Sequence, residues 1–320
     1  MTSIVVPAHD EEASIAACLS SLLSDAAEDE FEVVVVCNGC TDGTAEVASG
    51  FGDAVTVLQT PIASKIRALS LGDREATRFP RLYVDADVTL DTASVRALTA
   101  ALAQPGTLAL AVSPRPAYQL AGVGWAVRSY YRIWQHLPGV RAGVVGAGVY
   151  GLSAAGRTRL GDFPEVLGDD YFVQQRFQAH ERRVVHEAVS RIDPPASVRE
   201  LVRRKVRVFV GNRQLADLLP AGTSTARWTG CMAVVRDQPR LVPHVPAFAA
   251  VTVIAKIIAW WRYRRGTWRG WSGRGGRGRH GGQLPLEETG PDSDLRDASP
   301  LRPHVAVIDG SHDTWREFTR

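Results

Sequence analysis

The chain has 320 residues, enough for one large α/β domain with appendages. Hydrophobic residues make up 45% and charged residues 22%, an ordinary balance for a globular protein. A net charge of +3 excludes the chain as a whole as an electrostatic nucleic-acid binder, yet seven arginines and no acid lie between Arg262 and His280, a local basic patch.

Ile4 to Val6 is a β-rich run closed by Pro7 and reads as the first strand. Asp10-Glu11-Glu12 follows, then Ile15, Cys18, Leu19, Leu22 and Leu23 at helical spacing, which predicts a helix with acids in its first turn. Phe31 to Val36 is apolar on consecutive positions and predicts a strand buried on both faces. Asn38 to Gly43 is a turn, Thr44 to Ala48 opens a helix, and Val55 to Leu58 is a third strand. Lys65 to Leu71 reads as a helix and Leu82 to Val84 as a fourth strand. This short-range alternation predicts a mostly parallel, doubly wound sheet over the first hundred residues.

Further on, Ala93 to Ala103 predicts a helix and Leu108 to Val112 a strand. Tyr118 to Leu137, rich in aromatic residues and bounded by Pro138, predicts a helix; Val144 to Leu152 is a glycine-rich strand region. A helix runs from Asp169 to about Glu181, a strand from Arg182 to Val189, and a basic amphipathic helix from Val198 to Leu219. Pro243 to Trp261 is almost wholly apolar, short for a membrane span and interrupted by Lys256. With two tryptophans and the arginine block behind it, it suits a helix lying in an anionic membrane surface, and equally a core helix before a solvated tail. Gly270 to Gly282 and Pro285 to Arg302 predict disorder.

Of four cysteines, Cys37 and Cys40 form a C-x-x-C with no second pair or nearby His to complete a zinc site, so free thiols in a reducing cytoplasm are expected. The N-terminus lacks the basic start and long apolar core of a signal peptide. Gly146-Ala147-Gly148-Val149-Tyr150-Gly151 spells G-x-G-x-x-G, but no strand ending in an acid follows it. It reads as close backbone approach at a pocket floor rather than a dinucleotide site.

Asp85-Ala86-Asp87 ends the fourth strand. In extended chain residues i and i+2 point the same way, so both carboxylates can face one hard, oxygen-liking cation such as Mg²⁺ or Mn²⁺; two solvated acids in a turn is the alternative. Four segments then read together: Val5 to Glu12, Val36 to Thr44, Lys65 to Leu69, and Tyr83 to Asp87. With Gly161-Asp162-Phe163-Pro164, Asp169-Asp170 and the segment Arg203 to Asn212, the chain resembles the family-2 glycosyltransferases of the A-type (GT-A) fold over about residues 2 to 215.

The resemblance implies an α/β fold with a Rossmann-like, mostly parallel central sheet flanked by helices, a GT-A domain over 1–215; composition adds a C-terminal helical segment over 216–265, suited to a membrane surface or to a core, and a disordered tail over 266–320. It implies a nucleotide-diphosphate sugar donor, a hydroxyl acceptor, a divalent metal (Mn²⁺ or Mg²⁺), inversion at the anomeric carbon and no nucleic-acid partner. Pro7, His9, Glu11 and Asn38 fall at the nucleoside positions, although the family usually carries Asp where this chain has Asn38. Lys65 is implied near the diphosphate, Asp85 at ribose or metal-bound water, Asp87 on the metal, Asp170 as the base that takes the acceptor proton, and Arg207 over the diphosphate. Asp169 is read as a helix cap. A lipid-linked acceptor at the inner face of the plasma membrane fits the apolar-basic C-terminal region. The competing classes are a two-carboxylate hydrolase, which needs no nucleoside loops, a sugar-nucleotide nucleotidyltransferase, against which the acidic loop after Pro7 argues, and a non-catalytic GT-A-like binding protein.

Overall fold

The computed structural model describes residues 1–218 and 229–266 and the backbone of 305–307. The elements are, in order, β1 (Thr2–Ala8), α1 (Glu12–Leu23), β2 (Phe31–Asn38), α2 (Thr44–Ser49), β3 (Val55–Thr60), α3 (Lys65–Glu75), β4 (Arg81–Val84), β5 (Val88–Leu90), α4 (Thr92–Ala103) and β6 (Ala111–Tyr118). Then come α5 (Trp125–Trp134), α6 (Pro138–Arg141), β7 (Val149–Leu152), α7 (Ala154–Leu160), α8 (Asp169–Arg176), β8 (Arg182–Ile192), α9 (Val198–Leu218), α10 (Thr229–Asp237), α11 (Val245–Arg264) and β9 (Val305–Val307).

Among the described residues the strands form one sheet in the order β5-β8-β6-β7-β4-β1-β2-β3-β9. β4, β1, β2 and β3 run parallel, as the βα alternation requires, while β7 is antiparallel to both β4 and β6. Successive strand residues point to opposite faces, so β1 feeds two cores. Ile4 and Val6 pack with Ile15, Leu19 and Leu22 of α1 and Leu98 of α4; Val5 packs with Ile66 and Leu69 of α3 and Val173 of α8. Each such buried aliphatic side chain contributes about 1.5–3 kcal/mol.

Two sequence expectations fail here for physical reasons. Tyr118 belongs to β6, not to a helix, and the aromatic helix is the shorter α5. β6 carries Pro114 and Pro116, yet β7 pairs only with Ala111 and Val112. The two prolines, two apart, turn their missing N–H groups toward one edge, where no strand needs them. The glycine-rich stretch is strand only from Val149, because Gly146 and Gly148 adopt φ of +82° and +63°.

α9 continues to Leu218, across the boundary expected at 215. α11 folds back on it: Ala255 and Ala259 meet Val206 and Val210, while Phe248 and Val251 pack with Val127 and Tyr130 of α5. Small residues on α11 let the two backbones approach. The expected tail beyond 266 lies outside the described residues, apart from β9, which pairs with β3.

Candidate functional site

β4, β1 and β2 are neighbours with parallel direction, so the loops after them meet at one sheet edge, where α/β folds place ligands. β4 ends at Val84 because Asp85 turns the chain: its N–H donates to Gly148 O at 2.8 Å, and Val88 N–H donates back to Asp85 O at 3.1 Å. Asp87 therefore sits in a tight turn, not in extended chain, which corrects the i, i+2 geometry read from the sequence. The two carboxylates remain electrostatic neighbours. Burial pushes the Asp85 carboxyl up to about 6; Lys65 opposes the rise, and Asp169 and Asp87 add to it.

Lys65 joins the two halves of the site. Its Nζ lies 2.6 Å from Asp85 Oδ1 and 2.8 Å from Asp169 Oδ1. Ser64, the N-cap of α3, accepts from Arg67 N at 3.3 Å and fixes the helix start that aims Lys65 inward. Burial alone would lower this ammonium's pKa, but Asp169 and Asp85 outweigh it and raise it. Lys65 is thus held between carboxylates at the base of the site. Asp169, 4% exposed, is an ion-pair partner here and makes no helix cap; α8 starts after Gly168 without a side-chain cap.

Asp170, the next residue, is oriented separately. Oδ2 accepts from Gly146 N at 3.1 Å and Oδ1 from Tyr171 N at 2.7 Å. Burial, then Asp169, raises its pKa against the pull of Lys65 and of those two N–H groups. The glycine run is the floor: a Cβ on Gly148 would come within 2.5 Å of Val88 Cγ2 and 3.5 Å of Asp85 Oδ2, and Tyr118 Oη donates to Gly146 O at 2.8 Å.

Over this cluster α9 presents two half-buried arginines. Asp87 and Asp85 help raise the pKa of Arg204, against burial, while burial and then Arg204 lower that of Arg207, which the same two acids oppose. Arg204 stands out only in the fold; its i, i+3 spacing from Arg207 was the available signal, since such residues share a helix face. Lys205 points away from the acids into an aromatic group, 3.6 Å from the Trp134 ring and 5.0 Å from Tyr130. Gly211 lets α9 seat closely, since a Cβ there would overlap the Leu167 carbonyl just before α8.

The expected nucleoside residues gather at the ends of β1 and β2. His9 Nδ1 is 2.6 Å from Asn38 O, and Glu11 N donates to Thr44 Oγ1 at 2.8 Å. Pro7 is buried inside β1, opposite Val36. Asn38 is fully buried, and its Nδ2 donates to Ala8 O at 2.6 Å and Val36 O at 3.4 Å. Two carbonyls on that side explain the amide: a carboxylate there would face their lone pairs. Cys40 lies beside them, its thiol brought down to about 7 by a hydrogen bond from Cys37, whose own pKa is raised.

Asp85 and Asp87 offer carboxylate oxygens alone, a set that suits a hard divalent cation. The surroundings give charge on both sides, acids below and guanidinium groups above, as an anionic ligand bridged by a cation requires.

Residues 3–156 match the family model described as Glycosyl transferase family 2. No curated protein matches the chain. Among solved structures, a mannosyltransferase from Pyrobaculum calidifontis, in complex with GDP-Man and Mn²⁺, aligns at 19% identity over 83% of this chain and 79% of its own, with TM-score 0.54. Glucosyl-3-phosphoglycerate synthase from Mycobacterium tuberculosis, with Mn²⁺, UDP-glucose and phosphoglyceric acid, aligns at 18% identity over 71% of this chain and 84% of its own, with TM-score 0.46. S. aureus TarS, residues 1–349 with UDP, aligns at 16% identity over 83% and 91%, with TM-score 0.45. Residues 3–156, β1 to α7, are thus a family-2 glycosyltransferase segment, and the curled, mostly parallel sheet that carries it has the GT-A fold.

Proposed function

We propose that this protein is an inverting hexosyltransferase that moves a sugar from a nucleoside-diphosphate donor to an acceptor hydroxyl, with Mn²⁺ or Mg²⁺ at Asp87. The observation that carries this reading is Lys65. By pairing with Asp85 and Asp169 it brings the turn bearing Asp87 and the helix start bearing Asp170 to one place. A bound divalent ion supplies charge neutralisation as the nucleoside diphosphate departs. Arg204 and Arg207 hold the diphosphate oxygens from α9, and His9, Glu11, Pro7 and Asn38 shape the nucleoside side. Asp170, its carboxylate aimed by Gly146 N–H, accepts the proton of the acceptor hydroxyl. Its raised pKa makes it a stronger base than a solvated aspartate.

α11 bears on the acceptor. Its outward face exposes Val253, Ile254, Ile257, Trp260 and Trp261, each 44–52% exposed, and Arg262, Arg264 and Arg265 follow. The other face is committed to α9 and α5, so the helix fits lying on an anionic bilayer beside the domain. That favours a lipid-linked acceptor and a role in cell-envelope polysaccharide, glycolipid or glycoside synthesis at the inner face of the membrane.

The test is Asp87→Ala. With a nucleotide-sugar panel and Mn²⁺, donor turnover should fall by at least about 100-fold while the fold is kept, since a metal site supplies several kcal/mol of charge stabilisation. Wild-type turnover by the purified variant would remove the metal assignment.

A further inference from the structure

The C-x-x-C finds in three dimensions the histidine it lacks in sequence. β1 and β2 are in register, with Ala8 opposite Cys37, so the residues that follow each strand face one another. One ligand atom from each of His9, Asp10 and Cys40 lies within 4.8 Å of the other two. Two of the three are already oriented. His9 Nδ1 is 2.6 Å from Asn38 O, so in the neutral ring Nδ1 carries the proton and Nε2 the lone pair, which lies 4.0 Å from Asp10 Oδ2. That arrangement is how metal-binding histidines are usually set, one ring N–H on a carbonyl and the other nitrogen toward the ion. Asp10 is held by Thr41 N–H, which donates to its Oδ1 at 2.7 Å. Its backbone takes φ +52°, in the left-handed region that aspartate tolerates, and this turns the carboxylate back over the β2 turn.

Cys40 Sγ rests at 3.6 Å from Ala8 O and is half-buried, while the other three cysteines are buried. Zinc bonds of about 2.3 Å to sulfur and 2.0–2.2 Å to nitrogen and oxygen set donors about 3.5 Å apart in a tetrahedron. The donors, now within 4.8 Å, would reach that spacing if the Cys40 side chain rotated from Ala8 O, with solvent in the fourth position.

We propose that His9, Asp10 and Cys40 form a second cation site, for a thiophilic ion of the Zn²⁺ type, separate from the all-oxygen site at Asp87. The donor sets select different ions: nitrogen and thiolate suit Zn²⁺, carboxylate oxygens suit Mg²⁺ and Mn²⁺. On binding, the Cys40 S–H bond breaks, its proton passes to solvent and a sulfur–metal bond forms. The ion then crosslinks the β1 and β2 loops. The proposal does not depend on which donor or acceptor the enzyme uses.

The test uses the full chain and Co²⁺ and Zn²⁺ as probes. Wild-type protein should bind one Zn²⁺ in competition with a chromophoric chelator, and Co²⁺ should give a near-ultraviolet thiolate-to-metal band with tetrahedral visible bands. Cys40→Ser should abolish the band, and Cys40→Ser and His9→Gln should each weaken Zn²⁺ by at least about tenfold, the lower end of what even an outer-shell partner contributes. Asp87→Ala and Cys231→Ala should leave both readouts unchanged. No thiolate band with wild type, or a Zn²⁺ affinity that follows Asp87 instead of Cys40, would overturn the proposal; the wild-type spectrum decides even if a variant fails to fold.

Discussion

Two adjacent aspartates stand in different surroundings at the start of α8. Asp169 is buried and paired with Lys65, whereas Asp170 accepts from two backbone N–H groups and, among the described residues, makes no ion pair. A carboxylate paired to an ammonium is a poor base; one raised by burial and by a neighbouring acid is a better one. Asp170→Asn keeps the shape and one acceptor oxygen for Tyr171 N–H, gives up the bond from Gly146 N–H and cannot take a proton. Calorimetry should then find nucleotide-sugar affinity unchanged while kcat falls by about 100-fold or more, the low end for general base catalysis. A loss of donor affinity with kcat preserved would place Asp170 in donor binding. At this scale the sequence offered Asp85, Asp87 and Asp170 as candidates. It was silent about their partners, because the Lys65–Asp169 pair joins residues 104 positions apart.

At the scale of elements, β1 to β4 with their helices were readable because each strand is a short apolar run and each helix an amphipathic one. The later sheet was not. β5 is three residues long and β6 holds two prolines, so neither carries a periodic signal. α11 was ambiguous for a related reason: an apolar run does not say which of its faces is covered. The fold resolves this in part, with Ala255 and Ala259 against α9 and Ile254 and Ile257 at the surface. Truncating α11 would strip the cover from Tyr130 and Val206, so a surface variant is the cleaner probe of membrane contact. Ile254→Glu with Ile257→Glu should leave the thermal unfolding midpoint within a few degrees. It should also abolish co-sedimentation with phosphatidylserine vesicles, which wild-type protein should show at low salt and lose progressively as salt rises. Equal sedimentation of both proteins would refute the surface-helix reading.

Across the whole molecule, the β1 to β4 half of the sheet and the part that carries Asp169 and Asp170 keep a fixed relation, and Asp73 is one of the groups that holds it. This α3 carboxylate receives Arg81 Nη1 and Tyr83 Oη from β4, each at 2.5 Å, and Arg157 Nε from α7 at 2.6 Å. Tyr83 in turn stacks on Tyr150 at 4.8 Å, whose phenol is pushed up by burial and by Asp169. The network therefore backs the site from behind. No local pattern announces it, since its members come from four elements: α3, β4, α7 and β7. Burial pushes the Asp73 carboxyl up, but Arg157, Tyr83 and Arg81 outweigh it and hold it below its ordinary value. The folded pKa thus lies under the unfolded one, near 3.9. In that window the unfolded chain binds more protons, so stability rises with pH. The carboxylate's contribution is complete above about pH 4 and is lost as pH falls through the folded pKa. Asp73→Asn should cost about 3 kcal/mol in urea unfolding at pH 7, because the buried Arg81 and the half-buried Arg157 lose their counter-charge. The gap between variant and wild type should narrow as the pH is taken below about 4. A gap that stays constant down to pH 3 would mean that the side chain acts through packing and not through charge.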